Sequence, residues 1–207
     1  MMRGMSRPYH HGALRDALLE EAQLLLAEQG LSAVSLRELA RRVGVSHSAP
    51  ERHFPNRQAL LDALAVRGFT LLAAAIRQAL ADHGDGLQDG LRAVAKAYVS
   101  FALDNAALLE LMFASKADRA DEEVASAAQD LFSLTAGLVG DSSGDAAMTS
   151  VSPLRLLLVA TLQGIADLAA ARRIQPDEID SVIDETVSVF TPVLTQRQRQ
   201  LTDTAHE

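Results

Sequence analysis

Apolar residues recur at steps of three and four along almost the whole chain, and this spacing leaves one fold class open. Leu14, Leu18, Ala22, Leu25 and Leu26 share one stripe of a helix predicted over 12–30, where Gly30 supplies a left-handed C-cap. No segment carries the Val/Ile/Thr alternation of a strand. The expected fold is therefore all-α, with about nine helices. A second helix starts at Ser35, which forms a capping box with Glu38, and stops at Gly44. A short third helix is expected over Ser48 to Phe54, where Pro55-Asn56 breaks the chain. Asn56 then caps a long helix to about Asp82, which spans roughly 40 Å at 1.5 Å per residue. Beyond a Gly/Asp-rich loop from His83 to Gly90, helices are predicted near Gln88 to Asn105, Ala107 to Phe113, Asp121 to Val139, Pro153 to Ala171 and Pro176 to Gln196. Residues 140–152 read as a mobile loop, and the tail from Gln196 as frayed.

A chain of 207 residues with 48% hydrophobic content has ample material for one large or two small cored domains. The absence of Cys excludes disulfides, thiolate metal sites and Cys nucleophiles. Charged residues interrupt every Leu/Ala-rich stretch, so no run of 18 apolar residues is expected to span a membrane, and no export signal is visible. A cytoplasmic protein is expected. Charge is divided unevenly. Residues 1–70 hold nine Arg against seven Asp and Glu, a net of +2, while residues 71–207 hold ten Lys and Arg against twenty Asp and Glu, a net of −10. Such a head can approach phosphates and such a body cannot, although ordinary scatter of surface charge gives the same tally.

The stretch VSLRELARRVGVSHSAPERHF, Val34 to Phe54, is the most specific in the chain. Leu36, Leu39, Ala40 and Val43 face one way, Gly44 permits a positive-φ turn, and Val45 plugs that turn into the core. The following helix is thereby presented outward, where it fits a major groove about 12 Å wide.

This stretch, with Tyr9-His10-His11-Gly12, Pro55-Asn56 and Ala59-Leu60, resembles the TetR family of bacterial regulators. It resembles in particular the branch whose arm reads Tyr-His-His-Gly and whose recognition helix reads Ala-Pro-x-Arg-His-Phe. The resemblance implies a homodimer that places a recognition helix from each copy in adjacent major grooves of a double-stranded operator. It implies an N-terminal arm over 1–11, a helix-turn-helix domain over 12–70, a helical effector-binding and dimerisation domain over 71–196, and a tail over 197–207.

Roles carry over where positions match. Ser35 and Arg37 are candidates for phosphate at a helix start, with Ser35 as a plain cap the alternative. Ser46, His47, Ser48 and Ala49 lead the recognition helix and are candidates for base edges, Ala49 through a thymine methyl. Arg52 suits a guanine or a phosphate, His53 and Arg57 match backbone-clamping positions, and Pro50 and Phe54 face inward. Glu51 stands where the family usually has a phosphate-binding Tyr. It either closes a second capping box with Ser48 or accepts from a cytosine amino group. Arg7, Tyr9, His10 and His11 on the arm either track the DNA or have no role there.

In the body, Tyr98, Phe101, Met112, Phe113, Phe132 and Gln163 are candidates for an effector pocket, though most such residues must be ordinary core. Wide apolar stripes on the last two helices offer Leu158, Leu162, Ile165, Ile183, Val187 and Phe190 for a four-helix dimer interface, with burial inside one chain the alternative. Neither a metal nor a cofactor is called for. There is no phosphate-binding Gly loop, nucleophile elbow or paired His/carboxylate motif to suggest an enzyme. The expected function is a repressor released from its operator by a small-molecule effector. A helix-turn-helix protein with weakened recognition, acting through protein contacts, is the alternative that Glu51 favours.

Overall fold

In the computed structural model the described residues are 11–82, 84, 86–118, 121–139 and 152–204. They form eight α-helices: α1 (His11–Gln29), α2 (Leu36–Val43), α3 (Arg57–Ala81), α4 (Leu87–Asp104), α5 (Ala106–Asp118), α6 (Glu122–Val139), α7 (Pro153–Ala170) and α8 (Ile179–Thr204). Short 3-10 turns cover Leu31–Ala33 and Pro50–Arg52. The all-α expectation holds, and no described residue lies in a strand.

Local chemistry sets the helix ends. Ser35 caps α2 by accepting from the Glu38 amide at 3.3 Å, and Asn56 caps α3 by accepting from Ala59 at 2.9 Å. Gly30 closes α1, its amide donating to Leu26 at 2.9 Å, but with φ 77° and ψ 178° it sits outside the expected left-handed helical well. Only glycine reaches that region cheaply.

Helix α3 is the axis of the molecule. It packs against α1, α4, α5 and α6. Leu60, Leu64 and Phe69 are buried on one side of residue 70 and Leu72 and Ile76 on the other, so head and body share one continuous core from Leu18 to Leu194. α4 in turn carries α7 and α8 on its outer side. Arg92 on Asp184 at 2.6 Å and Lys96 on Asp180 at 3.0 Å bridge α4 to α8 at the surface. At Asn105 the chain bends by 102° between α4 and α5, which turns α5 back under α1.

Several expectations need correction. The third helix of the head is a 3-10 turn over Pro50–Arg52, closed by bonds such as His53 to Pro50 at 3.0 Å, and the run before Pro55 allows a single four-residue bond, Phe54 to Pro50 at 2.9 Å. Gly90 is not in a loop but buried inside α4. The chain from Gln196 to Thr204 continues α8 and is no frayed tail, and that helix runs through Pro192. Charged residues do interrupt the apolar stretches, as expected, but composition alone still passes two helices. The 18-residue windows within α3 and α7 have mean hydropathies of 1.8 and 1.4, long and apolar enough to cross a membrane, since Ala between sparse charges keeps the average high. Half of the α3 window is buried by the rest of the chain, against 22% of that in α7.

Candidate nucleic-acid interface and effector cavity

The turn after α2 is built as the residue order requires. Gly44 adopts φ 74° and ψ 33°, the left-handed conformation, and the Val45 amide reaches back to Ala40 at 3.0 Å. Leu39 and Ala40 are wholly buried beneath the turn. Pro50 and Phe54 then point into the core, Phe54 2% exposed, so the face between them is forced outward. Ser46, His47, Ser48, Glu51 and Arg52 are exposed on that face, Ala49 and His53 are half-buried at its edge, and Arg37 is exposed on α2. The capping box expected between Ser48 and Glu51 does not form. The 3-10 turn has no side-chain cap, and Ser48 Oγ instead lies 3.4 Å from Ser46 Oγ. Arg7, Tyr9 and His10 lie outside the described residues, and His11 opens α1.

Ion pairs hold this face to its support, and sequence reasoning missed them. Arg42 donates to Glu21 and Glu28 of α1 at 2.9 and 3.0 Å and to Glu38 of its own helix at 3.3 Å. Its partners lie 21 and 14 residues away, beyond any local charge pattern. The hydrogen bonds that Arg42 donates to Glu21 and Glu28 raise its pKa further. Glu38 does not complete its capping box with Ser35. It takes two bonds from Arg41, at 2.9 and 2.6 Å, and these with Arg42 lower its pKa to about 2. Arg57 spends its guanidinium on the carbonyls of Val34 at 2.8 Å and Leu31 at 2.6 Å, fastening the loop that leads into α2. Arg15 sits 5.4 Å from the Phe54 ring centroid, stacking α1 over the end of the turn.

In the body, residues of α3, α4, α5, α6 and α7 line a narrow cavity of about 60 Å³. Of the residues singled out for a pocket, Tyr98, Phe113 and Phe132 line it. Phe101 and Met112 do not: they are buried packing residues. Gln163 stands behind the wall, where its Oε1 accepts from the Tyr98 hydroxyl at 2.9 Å. Burial, with Asp167 adding like charge, pushes that hydroxyl above its ordinary pKa range, so it stays a neutral donor. Arg155 was not foreseen. It is 9% exposed, lines the cavity, and rests 5.6 Å from the Phe132 centroid. A lone Arg two residues after a helix-starting Pro reads in sequence as solvated surface.

The residues offered for a dimer interface are mostly turned inward. Leu162, Ile165, Ile183, Val187 and Phe190 are buried within the one chain, and Leu158 lines the cavity. The stripes are wide enough to bury one edge and leave another uncovered. Leu157 on α7 and Val189 and Val193 on α8 are 56%, 62% and 50% exposed.

A helix-turn-helix head fused through one long helix to a helical, cavity-bearing body defines a class of two-part bacterial regulators. The comparisons agree. Residues 18–64 match the model of bacterial regulatory proteins of the tetR family, and residues 91–190 match the tetracyclin repressor-like C-terminal domain. The chain belongs to the TetR family. Over 57 residues it is 42% identical to the tetracycline repressor protein class C of Escherichia coli, covering 28% of this chain and 26% of that one. The whole fold is similar to that of a Rhodococcus sp. RHA1 protein of unknown function, 40% identical over 90% of this chain and 98% of that one, with a TM-score of 0.76. It is also similar in fold to the Mycobacterium smegmatis regulator LfrR, solved in complex with proflavine. That chain is 24% identical, with coverage of 86% here and 95% there and a TM-score of 0.58.

Proposed function

We propose that this chain is a sequence-specific DNA-binding transcription regulator of the cytoplasm, a repressor that a small-molecule effector releases from its operator. The observation that carries this reading is the outward face at Ser46, His47, Ser48 and Arg52, held above buried Pro50 and Phe54 by the Gly44 turn. Exposed donors on a rigid protrusion suit the base edges of a major groove. His47, Ser48 and Ala49 read bases, Arg52 a guanine or phosphate, and Ser35, Arg37 and His53 position the backbone. Arg57 acts through the loop it fastens. With no cap to make, exposed Glu51 is left to accept from a cytosine amino group or to weaken the phosphate grip. The arm residues Arg7, Tyr9, His10 and His11 extend the contact along the DNA.

Two heads are needed for useful specificity, and the uncovered strip of Leu157, Val189 and Val193 supports a second copy of this chain as the occupant of that face. The cavity supports an effector site, the body from residue 71 onward serving effector binding and dimerisation. Effector binding would favour one head-to-head distance and so draw the population off the operator. No catalytic role is assigned to any residue.

Fluorescence anisotropy with the DNA upstream of the protein's own coding region, at two salt concentrations and against scrambled competitor, tests the reading. The expected result is specific binding by a dimer that weakens steeply with salt. Binding that ignores sequence would favour the second reading, a head whose recognition Glu51 has weakened. R52A and H47A should each reduce specific binding, whereas R57A should lower thermal stability as well.

A further inference from the structure

Among the described residues, the cavity is walled by apolar side chains with one formal charge, Arg155. The other polar groups on the wall are already engaged. The Tyr98 hydroxyl donates to Gln163 at 2.9 Å and the Thr135 hydroxyl to the Phe132 carbonyl at 3.2 Å. A guanidinium offers five N–H donors in a fixed fork that matches a carboxylate two bonds at a time, so it can take an incoming anion beside contacts made within the chain. Arg155 is held in place by helix geometry and by the ring of Phe132 at 5.6 Å, which lets its charge sit against aromatic surface inside the wall. Buried at 9% exposure, that charge acts through a low dielectric, where discrimination between an anion and its neutral isostere is strong. The rest of the lining, including Leu72, Ile76, Leu91 and Phe113, offers a second polar group nothing to bond and penalises its entry.

We infer that the effector is a monoanionic amphiphile, an aliphatic or aromatic body carrying one carboxylate, and that Arg155 is the residue that selects the anion. This inference rests on reading the cavity as the effector site.

The test is calorimetric titration of the full chain with 2-naphthoate and octanoate, each against its amide, 2-naphthamide and octanamide. Wild-type protein should bind at least one acid ten or more times more tightly than the matching amide. In R155M, which keeps an apolar stem and removes the charge, that gap should close, with circular dichroism verifying the helical fold. R155K should retain part of it, since a point charge remains without the fork. Equal affinity of acid and amide for the wild type, an undiminished gap in R155M, or binding of none of the four probes would each overturn the inference. If R155M does not fold, the wild-type comparison of acid with amide decides alone. The same titrations with operator DNA present keep the two readings apart. An acid that binds through Arg155 without displacing DNA leaves this inference standing and counts against effector release. An amide that binds as tightly as its acid and displaces DNA does the reverse.

Discussion

Gly68 offers a sharp test of how the long helix is seated. A Cβ built there would lie 2.5 Å from Met112 Sδ, 2.8 Å from Met112 Cγ and 3.1 Å from Leu108 Cγ, all on α5. Ordinary contact begins near 3.4 Å, so the nearest approach is about 0.9 Å too short. Met112 is wholly buried and has little space to swing into. Overpacking of this kind costs about 1–3 kcal/mol. Against it, Ala in place of Gly inside a helix gains about 1 kcal/mol. G68A should therefore lose up to about 2 kcal/mol net, which for a chain of this size lowers Tm by several degrees, at about 2–4 °C per kcal/mol. The sign should reverse in an M112A background. There the sulfur is gone, the propensity gain remains, and the new methyl refills part of the space, so G68A should raise Tm relative to M112A by a few degrees. Differential scanning calorimetry of the four proteins at one fixed concentration measures the coupling. If G68A raised Tm equally in both backgrounds, the close α3–α5 approach would not be a constraint on the fold, and the reasoning would be wrong.

Other expected outcomes concern the head, the uncovered face and the joint between them. The Glu38 carboxyl is held at about 2 by Arg41 and Arg42, below its ordinary 4.5, so it contributes stability fully above about pH 4.5 and loses it as pH falls toward 2. The stability difference between wild type and E38Q, from urea melts across that window, should shrink on acidification, and a difference that did not change with pH would refute it. A double V189E/V193E variant places charge on a 62% and 50% exposed strip and should behave as a monomer in light scattering with operator affinity lost, while an intact dimer would move the interface elsewhere. Y98F removes the bond to Gln163 and should cost about 0.5–1.5 kcal/mol in chemical denaturation, with unchanged stability refuting the bond's contribution. N105A should leave DNA and ligand affinities separately near wild type but reduce the ligand's power to displace DNA. Undiminished displacement would exclude Asn105 from the coupling.

What the sequence made legible was whatever depends on neighbours along the chain. Caps at Ser35 and Asn56, the Gly44 turn and the inward stripe of Leu18, Leu25 and Leu39 are local consequences of residue type and spacing. The 3-10 form of the recognition segment was less legible, since helical period cannot distinguish a seven-residue α-helix from a tighter turn. The stripes on α7 and α8 were correctly apolar, but periodicity does not say which edge meets this chain and which meets another. Arg155 and the Arg42 hub escaped notice for a related reason. A charged residue's burial and its distant partners are decided by tertiary packing, and nothing in the order of residues announces them.

The same packing suggests how occupancy of the cavity would be felt at the DNA face. Tyr98 on the cavity wall belongs to α4, and α4 ends about two turns later at Asn105, whose side-chain amide nitrogen donates to the Phe101 carbonyl at 3.2 Å. Asn105 Oδ1 accepts from Gln23 of α1 at 3.2 Å, and Gln23 Oε1 accepts from Arg67 of α3 at 3.0 Å. Three helices thus meet in one polar chain at the 102° bend between α4 and α5. α1 carries the Glu21 and Glu28 carboxylates that hold Arg42, and through Arg42 the helix that precedes the recognition turn. A ligand that shifted α4 would have to carry α1 with it or break the Gln23–Asn105 bond, and these alternatives have opposite consequences. Carried along, α1 would reorient the head; with the bond broken, cavity and head would be decoupled. Gln23→Leu, which keeps the volume and removes both bonds, should therefore bind ligand and operator like the wild type yet no longer release the operator when ligand is added.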